Sequence, residues 1–348
     1  SAQVYPLRLI LLADAGRWQE VEALARSLLD EGNKDTRIPA HLTRSLLHQS
    51  QCEEATEVAS TWYEQVPEDS EAQRVLGTLT RDPEILCPFQ PDLCALVQDH
   101  AVAQSCAGNC DRALGEALLR RGDVALAGCV LQDAVAAQPQ SAEAHAWLGE
   151  VLKRLGENEE ARQHLLTATR IAPEKPLGWL LLGTLQLSAG EVEDAQQALF
   201  TAHRLDPANP ATCLQLAAVF AAKGQYPEVA VWTQATLERA AEDVEVWKAV
   251  ARFYLERNLE QEGQPLDAAR GAARLAPQDS EAQMLLGWAY LAVGDTEQAL
   301  VTLNEALSLS PEMAFAHHLR GQALTALGRE EAAGEAFTRA ADLGHLPR

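Results

Sequence analysis

A period of 34 residues constrains this chain more than any other feature of its sequence. Residues 142–175 read AEAHAWLGEVLKRLGENEEARQHLLTATRIAPEK, and the next 34 residues follow the same pattern as PLGWLLLGTLQLSAGEVEDAQQALFTAHRLDPAN. Self-similarity at a fixed spacing of this size is typical of stacked supersecondary units. The chain of 348 residues is therefore expected to form a repeat architecture.

Several markers recur at fixed positions of this frame. In the clearest copy they are Leu148–Gly149, then Gly156, Ala161, Ala168 and Pro173. The small residues allow two helices to approach closely, and the later glycine ends the first helix in a left-handed conformation. Proline cannot continue the second helix, so the chain turns into the next unit. Each repeat is predicted to be a pair of antiparallel helices.

These markers resemble the tetratricopeptide repeat family, and we guess a bacterial source. The resemblance implies an all-α, right-handed superhelical solenoid of helix-turn-helix repeats, with the first helix of each repeat on the concave face. Two weaker copies are expected near 2–35 and 36–69, and a third begins at Ser70 and then loses the frame. The seven clear copies are 108–141, 142–175, 176–209, 210–243, 244–279, 280–313 and 314–345.

A stretch rich in proline and cysteine interrupts the repeats at 81–107. We expect an irregular connection to about Gln90 and a nonstandard helix from Pro91 to Cys106. The predicted organisation is divergent repeats over 1–80, this connection, and seven repeats over 108–348, as one continuous solenoid. The fifth copy carries two extra residues around 260–265 and is expected to be locally distorted.

The seven cysteines admit three interpretations. Cysteine can replace alanine in tight helix packing, as expected for Cys213. Disulfides in an oxidising compartment could fasten the irregular stretch, which would favour the periplasm or the cell surface over the cytoplasm. A zinc site is disfavoured, because the C-x-x-x-C spacing is unusual and the only nearby histidine is His100. The candidate disulfide cysteines are Cys87, Cys94, Cys106 and Cys110.

The sequence contains no motif of the common catalytic classes. G-x-x-x-x-G-K-[ST], H-E-x-x-H and G-x-S-x-G are all missing. The net charge of −22 opposes nucleic acid as a partner. No apolar run approaches the roughly 20 residues of a transmembrane helix. We therefore expect no enzymatic activity, no cofactor, no metal and no direct membrane span.

Function is then expected to reside in a surface. The resemblance places positions 2, 5, 9, 12 and 13 of each first helix in the concave groove. The leading hypothesis is a non-catalytic scaffold that binds a peptide or helix of a partner protein on an apolar trough with charged flanks. Alternatively, neighbouring turns cover these residues. The predicted groove residues are Leu177, Leu180, Thr184, Leu187, Leu214, Ala218, Arg252 and Trp288.

The two ends support a second hypothesis, a self-assembling extracellular or envelope filament. Apolar end faces could stack a homo-oligomer end to end, because a heterologous contact need not close on itself. A capping segment before Ser1 is the other possibility. The expected self-association residues are Leu7, Ile10, Leu11, Phe337 and Leu343.

Overall fold

The computed structural model describes residues 5–88, 90, 93–94, 107–259 and 264–344, with the side chains of 107–110 excluded. In these ranges all regular secondary structure is helical, which confirms the predicted all-α class. The helices are Tyr5–Asp14, Trp18–Asp30, Arg37–His48, Cys52–Gln65, Ser70–Thr80, Pro83–Leu86, Ala107–Arg121, Val124–Ala137, Ala142–Leu155, Asn158–Ile171, Pro176–Ser188, Val192–Leu205, Pro210–Ala222, Tyr226–Arg239, Val244–Glu256, Gln264–Leu275, Ser280–Ala292, Thr296–Leu309, Ala314–Ala326 and Glu330–Asp342.

Consecutive helices form the predicted pairs, whose first and second members we call helix A and helix B. In the clearest copy, helix A is Ala142–Leu155 and helix B is Asn158–Ile171. The Ser141 hydroxyl accepts a hydrogen bond from the Ala144 N–H and caps helix A. Gly156 ends that helix with φ = 88°, in the left-handed region predicted from the sequence.

The small residue of helix A permits the two helices of a repeat to pack closely. At Gly287 an added Cβ would lie 2.6 Å from Cγ of Leu303 in the paired helix B. Both residues are buried. The Leu-Gly marker thus reflects a direct steric need.

Contacts between residues group the chain into two compact units, Ser1–Glu191 and Val192–Arg348. The sequence-based boundaries at 80/81 and 107/108 both fall within the first unit and stay predictions of domain organisation. The expected distortion at 260–265 falls partly outside the described residues, but Pro265 is buried at the start of helix Gln264–Leu275.

In the first unit the early repeats pack on later ones. Helices Arg37–His48 and Ser70–Thr80 contact Val124–Ala137, and a disulfide joins Cys52 to Cys129. One hydrophobic cluster extends from Leu9 to Leu185. The early repeats are therefore part of one core with residues far along the chain.

The interrupting stretch is more regular at its start than expected. Residues Pro83–Leu86 form a helical turn that the Asp82 carboxylate caps by accepting a hydrogen bond from the Glu84 N–H. Leu86 packs against Gly77. The predicted helix from Pro91 to Cys106 lies outside the described residues, except for 93–94, which are helical.

Candidate functional site

Helix Pro176–Ser188, a helix A of the first unit, carries most of the predicted groove residues. Its sequence, PLGWLLLGTLQLS, is apolar around most of the helix. Leu182 and Leu185 are buried in the core, whereas Leu177, Leu180 and Leu187 are only half-buried. A second apolar side of this helix thus remains partly accessible.

Thr184, on the same helix, is also half-buried. Its hydroxyl donates a hydrogen bond of 2.8 Å to the carbonyl oxygen of Leu180. The polar group is therefore satisfied within the helix, and the surface between the leucines does not require a polar partner.

In the second unit, helix Pro210–Ala222 is likewise apolar on more than one side. Leu214 is half-buried, but Ala218 is buried. Of the two residues predicted here to contact a partner, only Leu214 presents appreciable surface.

The charged groove positions of the second unit are already paired with each other. The Lys248 ammonium is buried and lies 2.6 Å from Glu245 Oε1, 2.9 Å from Asp279 Oδ2 and 3.1 Å from Glu281 Oε2. Burial opposes its charge, but the hydrogen bonds to the three carboxylates outweigh burial and raise the pKa of Lys248. Arg252 Nη2 contacts Glu281 as well. Three carboxylates and two cations leave this cluster negative.

Aromatic side chains lie on the helix A faces farther along the second unit. The Trp288 ring meets Phe315 edge to face at a centroid distance of 4.9 Å, and Phe315 stacks with His318 at 6.3 Å. Trp288 and Phe315 are half-buried. Together they offer a partly accessible aromatic surface.

The predicted end residues have different surroundings. On helix Tyr5–Asp14, Leu9 and Leu12 are buried, while Leu7, Ile10 and Leu11 are exposed. At the other end Phe337 packs against the cluster of Leu324, Ala333 and Ala336 inside its own hairpin. Leu343 is half-buried. The apolar surface is therefore much larger on the first helix.

Among the described residues two disulfides are present, Cys52–Cys129 and Cys87–Cys94. Cys106 and the side chain of Cys110 lie outside the described residues. Cys213 is a buried free thiol, and burial raises its pKa. Sequence reasoning did not select Cys52 or Cys129, because a separation of 77 residues leaves no local signal of pairing.

Neither a metal-binding cluster nor a membrane-spanning helix is found among the residues that the structure describes. No group of three or more His, Cys, Asp or Glu side chains in this part of the chain could hold a metal ion. Nor does any helix described here have the length and apolarity needed to span a membrane.

Comparison with known proteins identifies the repeat. Models of the tetratricopeptide repeat match residues 112–176, 153–210, 257–314 and 284–344, and another model of this repeat matches 186–253. Together these matches cover more than half of the chain. No curated protein shows a significant match.

Solved structures share the fold at low sequence identity. A chain of the APC/C hetero-tetramer Cut9–Hcn1 is 17% identical, with a TM-score of 0.54, over 88% of this chain and 59% of that one. Yeast Tom70 is 12% identical, with a TM-score of 0.50, over 99% of this chain and 93% of that one. A tetratricopeptide repeat protein from Parabacteroides merdae is 17% identical, with a TM-score of 0.49, over 69% and 94%. This chain thus spans 59% of the Cut9–Hcn1 chain that it matches.

Proposed function

Because the chain belongs to the tetratricopeptide repeat family, we propose that it is a non-catalytic scaffold that binds segments of partner proteins on its helix A faces. Tetratricopeptide repeat proteins bind protein or peptide partners and are generally non-catalytic.

The observation that carries the proposal is the second apolar side of Pro176–Ser188. A helix that is apolar on more than one side is normally covered on each of them. Here Leu177, Leu180 and Leu187 are only half-buried by the chain itself. Burying a fully exposed leucine side chain contributes about 1.5–3 kcal/mol, so covering the remaining surface of these three by a partner would contribute part of that amount each.

The occupant that fits is a peptide segment, helical or extended, with an apolar side and a basic residue next to it. The apolar side would cover leucines, and a helix-in-groove contact uses apolar anchors of this kind. The basic residue is favoured by the overall charge of −22.

The first unit can be tested with Leu180→Glu. A photoreactive amino acid at position 180 identifies the captured segment, and a synthetic peptide of that segment is then titrated. We expect the substitution to weaken peptide binding by about tenfold or more, since it places a charge in an apolar contact. The helical circular dichroism signal should not change.

The matched control is Leu166→Glu, on helix B of the preceding repeat, where Leu166 is 49% exposed. This variant should bind the peptide as tightly as the original protein. Equal binding by the Leu180→Glu protein, or equally strong capture from position 166, would contradict the proposal.

The second unit is tested separately with Leu214→Glu. Its control is Val231→Glu, on the helix B that follows, where Val231 is 65% exposed. If Leu214 contacts a partner, Leu214→Glu should weaken binding of the peptide captured at position 214, and Val231→Glu should not. Loss of binding in both variants would indicate a general effect on the unit and would reject a specific role for Leu214.

A second candidate function is self-association through the first helix. Leu7, Ile10 and Leu11 form an exposed apolar face on Tyr5–Asp14, and a second copy of the chain is the proposed occupant. Sedimentation velocity should then show growth with concentration that Leu7→Glu with Leu11→Glu abolishes. A monomer at all concentrations would reject this candidate without affecting peptide capture.

A further inference from the structure

Helix Tyr5–Asp14 carries an exposed apolar face. Leu7, Ile10 and Leu11 are 59%, 44% and 58% exposed, and we call these three side chains the first-helix face. No other helix in the ranges that the structure describes has more than two exposed large apolar side chains. An exposed apolar patch of this kind marks an interaction site.

The helix behind the first-helix face is held in place by the rest of its unit. Leu9 and Leu12 are buried in the hydrophobic cluster of the first unit. The Tyr5 hydroxyl donates a hydrogen bond of 2.9 Å to Oδ2 of Asp35. A face on a preformed helix loses less conformational entropy on binding than a disordered segment does. The three apolar side chains are therefore already positioned for a contact.

The first-helix face has the chemistry of the segment proposed for the helix A face. Leu7, Ile10 and Leu11 stand at i, i+3 and i+4, the spacing of apolar anchors in helix-in-groove contacts. Arg8 follows Leu7 directly, is exposed, and forms no ion pair with the described residues. The helix thus offers an apolar side with a basic residue next to it.

Helix Pro176–Ser188 offers a complementary surface in the same unit. It contains no charged residue. Leu177, Leu180 and Leu187, which we call the leucine row, keep part of their surface accessible. Their spacing of three and seven residues places them along one side of the helix, over about 15 Å of its length. This row is long enough for three anchors that span one helical turn.

An acidic side chain flanks the leucine row. Glu143 holds the second position of helix Ala142–Leu155, as Leu177 does in the next helix A, and the two helices contact each other. The Glu143 side chain is 48% exposed, and its Oε2 lies 3.3 Å from Nε of Arg112. A carboxylate can accept from more than one donor, so Glu143 can also receive Arg8. Charge therefore favours Arg8 at this edge of the row.

We propose that the first-helix face of one copy binds the leucine row of a second copy. Within one copy Leu7, Ile10 and Leu11 are exposed, so the contact forms between copies. This inference rests on the proposed function, because it uses the same binding face and names the chain itself as an occupant. The two surfaces differ, so the contact is heterologous, and each copy can bind one neighbour and be bound by another.

Two full-length variants test the pairing, because each removes one surface and keeps the other. Leu7→Glu with Leu11→Glu removes the first-helix face, and Leu180→Glu disrupts the leucine row. In sedimentation velocity the original protein should grow with concentration, and each variant alone should associate at least about tenfold more weakly, since a charge enters an apolar contact. An equimolar mixture of the two should form a heterodimer and grow no further. Formation of that heterodimer also shows that both variants are folded.

Cross-linking then identifies the contact. A photoreactive amino acid is placed at position 180 of the Leu7→Glu, Leu11→Glu protein, and this protein is mixed with ¹⁵N-labelled Leu180→Glu protein. Mass spectrometry should find the link on residues 5–14 of the labelled copy. Leu166→Glu, which alters a residue of helix B that is 49% exposed, is the control and should associate as the original protein does.

The inference is overturned if the original protein is a monomer at every concentration, or if the mixture of variants stays monomeric. It is overturned equally if Leu180→Glu associates as strongly as Leu166→Glu, which would place the first helix against another surface. Capture at position 180 of segments from other proteins alone would reject this inference and leave the proposed function standing. Absence of any capture at position 180 would reject both.

Discussion

The indole Nε1 of Trp179 donates a hydrogen bond of 2.9 Å to the carbonyl oxygen of Pro173, six residues earlier. Pro173 closes one repeat and Trp179 occupies the fourth position of the next. This bond satisfies a carbonyl beyond the end of a helix B, where no intrahelical donor is available. It thus ties two consecutive repeats together.

The same relationship recurs with chemically different donors. At the fourth position of other repeats, histidine, glutamine or tryptophan donates to the carbonyl six residues back. The pairs are Gln73 with Pro67, His145 with Pro139, Trp247 with Ala241, Gln283 with Pro277 and His317 with Pro311. In these repeats position four therefore holds a donor of sufficient reach, although the residue type differs.

Repeat 210–243 is one that departs from this rule. Its fourth residue is Cys213, whose side chain is too short to reach the carbonyl of Pro207. Arg239 Nε donates to that oxygen instead, at 2.7 Å. The carbonyl is satisfied in either case.

Trp179→Phe should lower the free energy of unfolding by about 1 kcal/mol, because it removes the donor and keeps an aromatic, though smaller, side chain. Urea denaturation followed by circular dichroism measures this change. Trp147→Phe is the control, since its indole nitrogen makes no hydrogen bond to the described residues. Equal stability of both variants would show that the Pro173 contact contributes nothing.

Gly287→Ala should destabilise the protein by about 1–3 kcal/mol, as overpacking in a core does. Its new Cβ would lie 2.6 Å from Cγ of Leu303.

Gly334 is in the middle of helix Glu330–Asp342 with open space around its Cβ position. There alanine should instead stabilise by up to about 1 kcal/mol. Thermal unfolding of the two variants should therefore shift in opposite directions.

Loss of the Cys52–Cys129 disulfide should destabilise the protein more than loss of Cys87–Cys94. The first closes a loop of 77 residues and the second a loop of 7. Chain entropy alone gives about 4.5 and about 2.4 kcal/mol, respectively. The melting temperatures of the two double Cys→Ser variants, compared under non-reducing conditions, test this order. The reverse order would mean that the early repeats are held mainly by other contacts.

Stability should fall on acidification, in part through His164, which lies beside His145. Their Nδ1 atoms lie 2.8 Å apart, and burial followed by the charge of His145 lowers the pKa of His164. Between this lowered value and the unfolded value of about 6.5, the unfolded chain binds more protons. The free energy of unfolding therefore decreases as the pH drops below about 6.5.

His164→Gln isolates this contribution. The glutamine amide can still donate to His145, but it does not titrate. The variant should lose less stability between pH 7.5 and pH 5 than the original protein does, while His41, His48 and His203 titrate in both. An unchanged pH dependence would exclude His164 as a source.

Local repetition in the sequence was enough to predict the helix pairs. Turn glycines such as Gly156 and closing prolines such as Pro173 act within a few residues of their own position. The Leu-Gly marker acts across one hairpin, as Gly287 does against Leu303. Such short-range requirements are written into each repeat, so the frame predicted their structure without any knowledge of distant contacts.

The tertiary structure alone decided how the early repeats pack. Cys52 meets Cys129, and Trp62 and Arg44 meet the start of Val124–Ala137 around one cavity. These partners belong to different repeats and are separated by more than one period, so the 34-residue pattern does not relate them. Similarly, Lys248 has the spacing of a groove residue. It is buried, however, and forms ion pairs with three carboxylates of its own unit. Periodicity determines which way a side chain faces, whereas packing between repeats determines what it meets there.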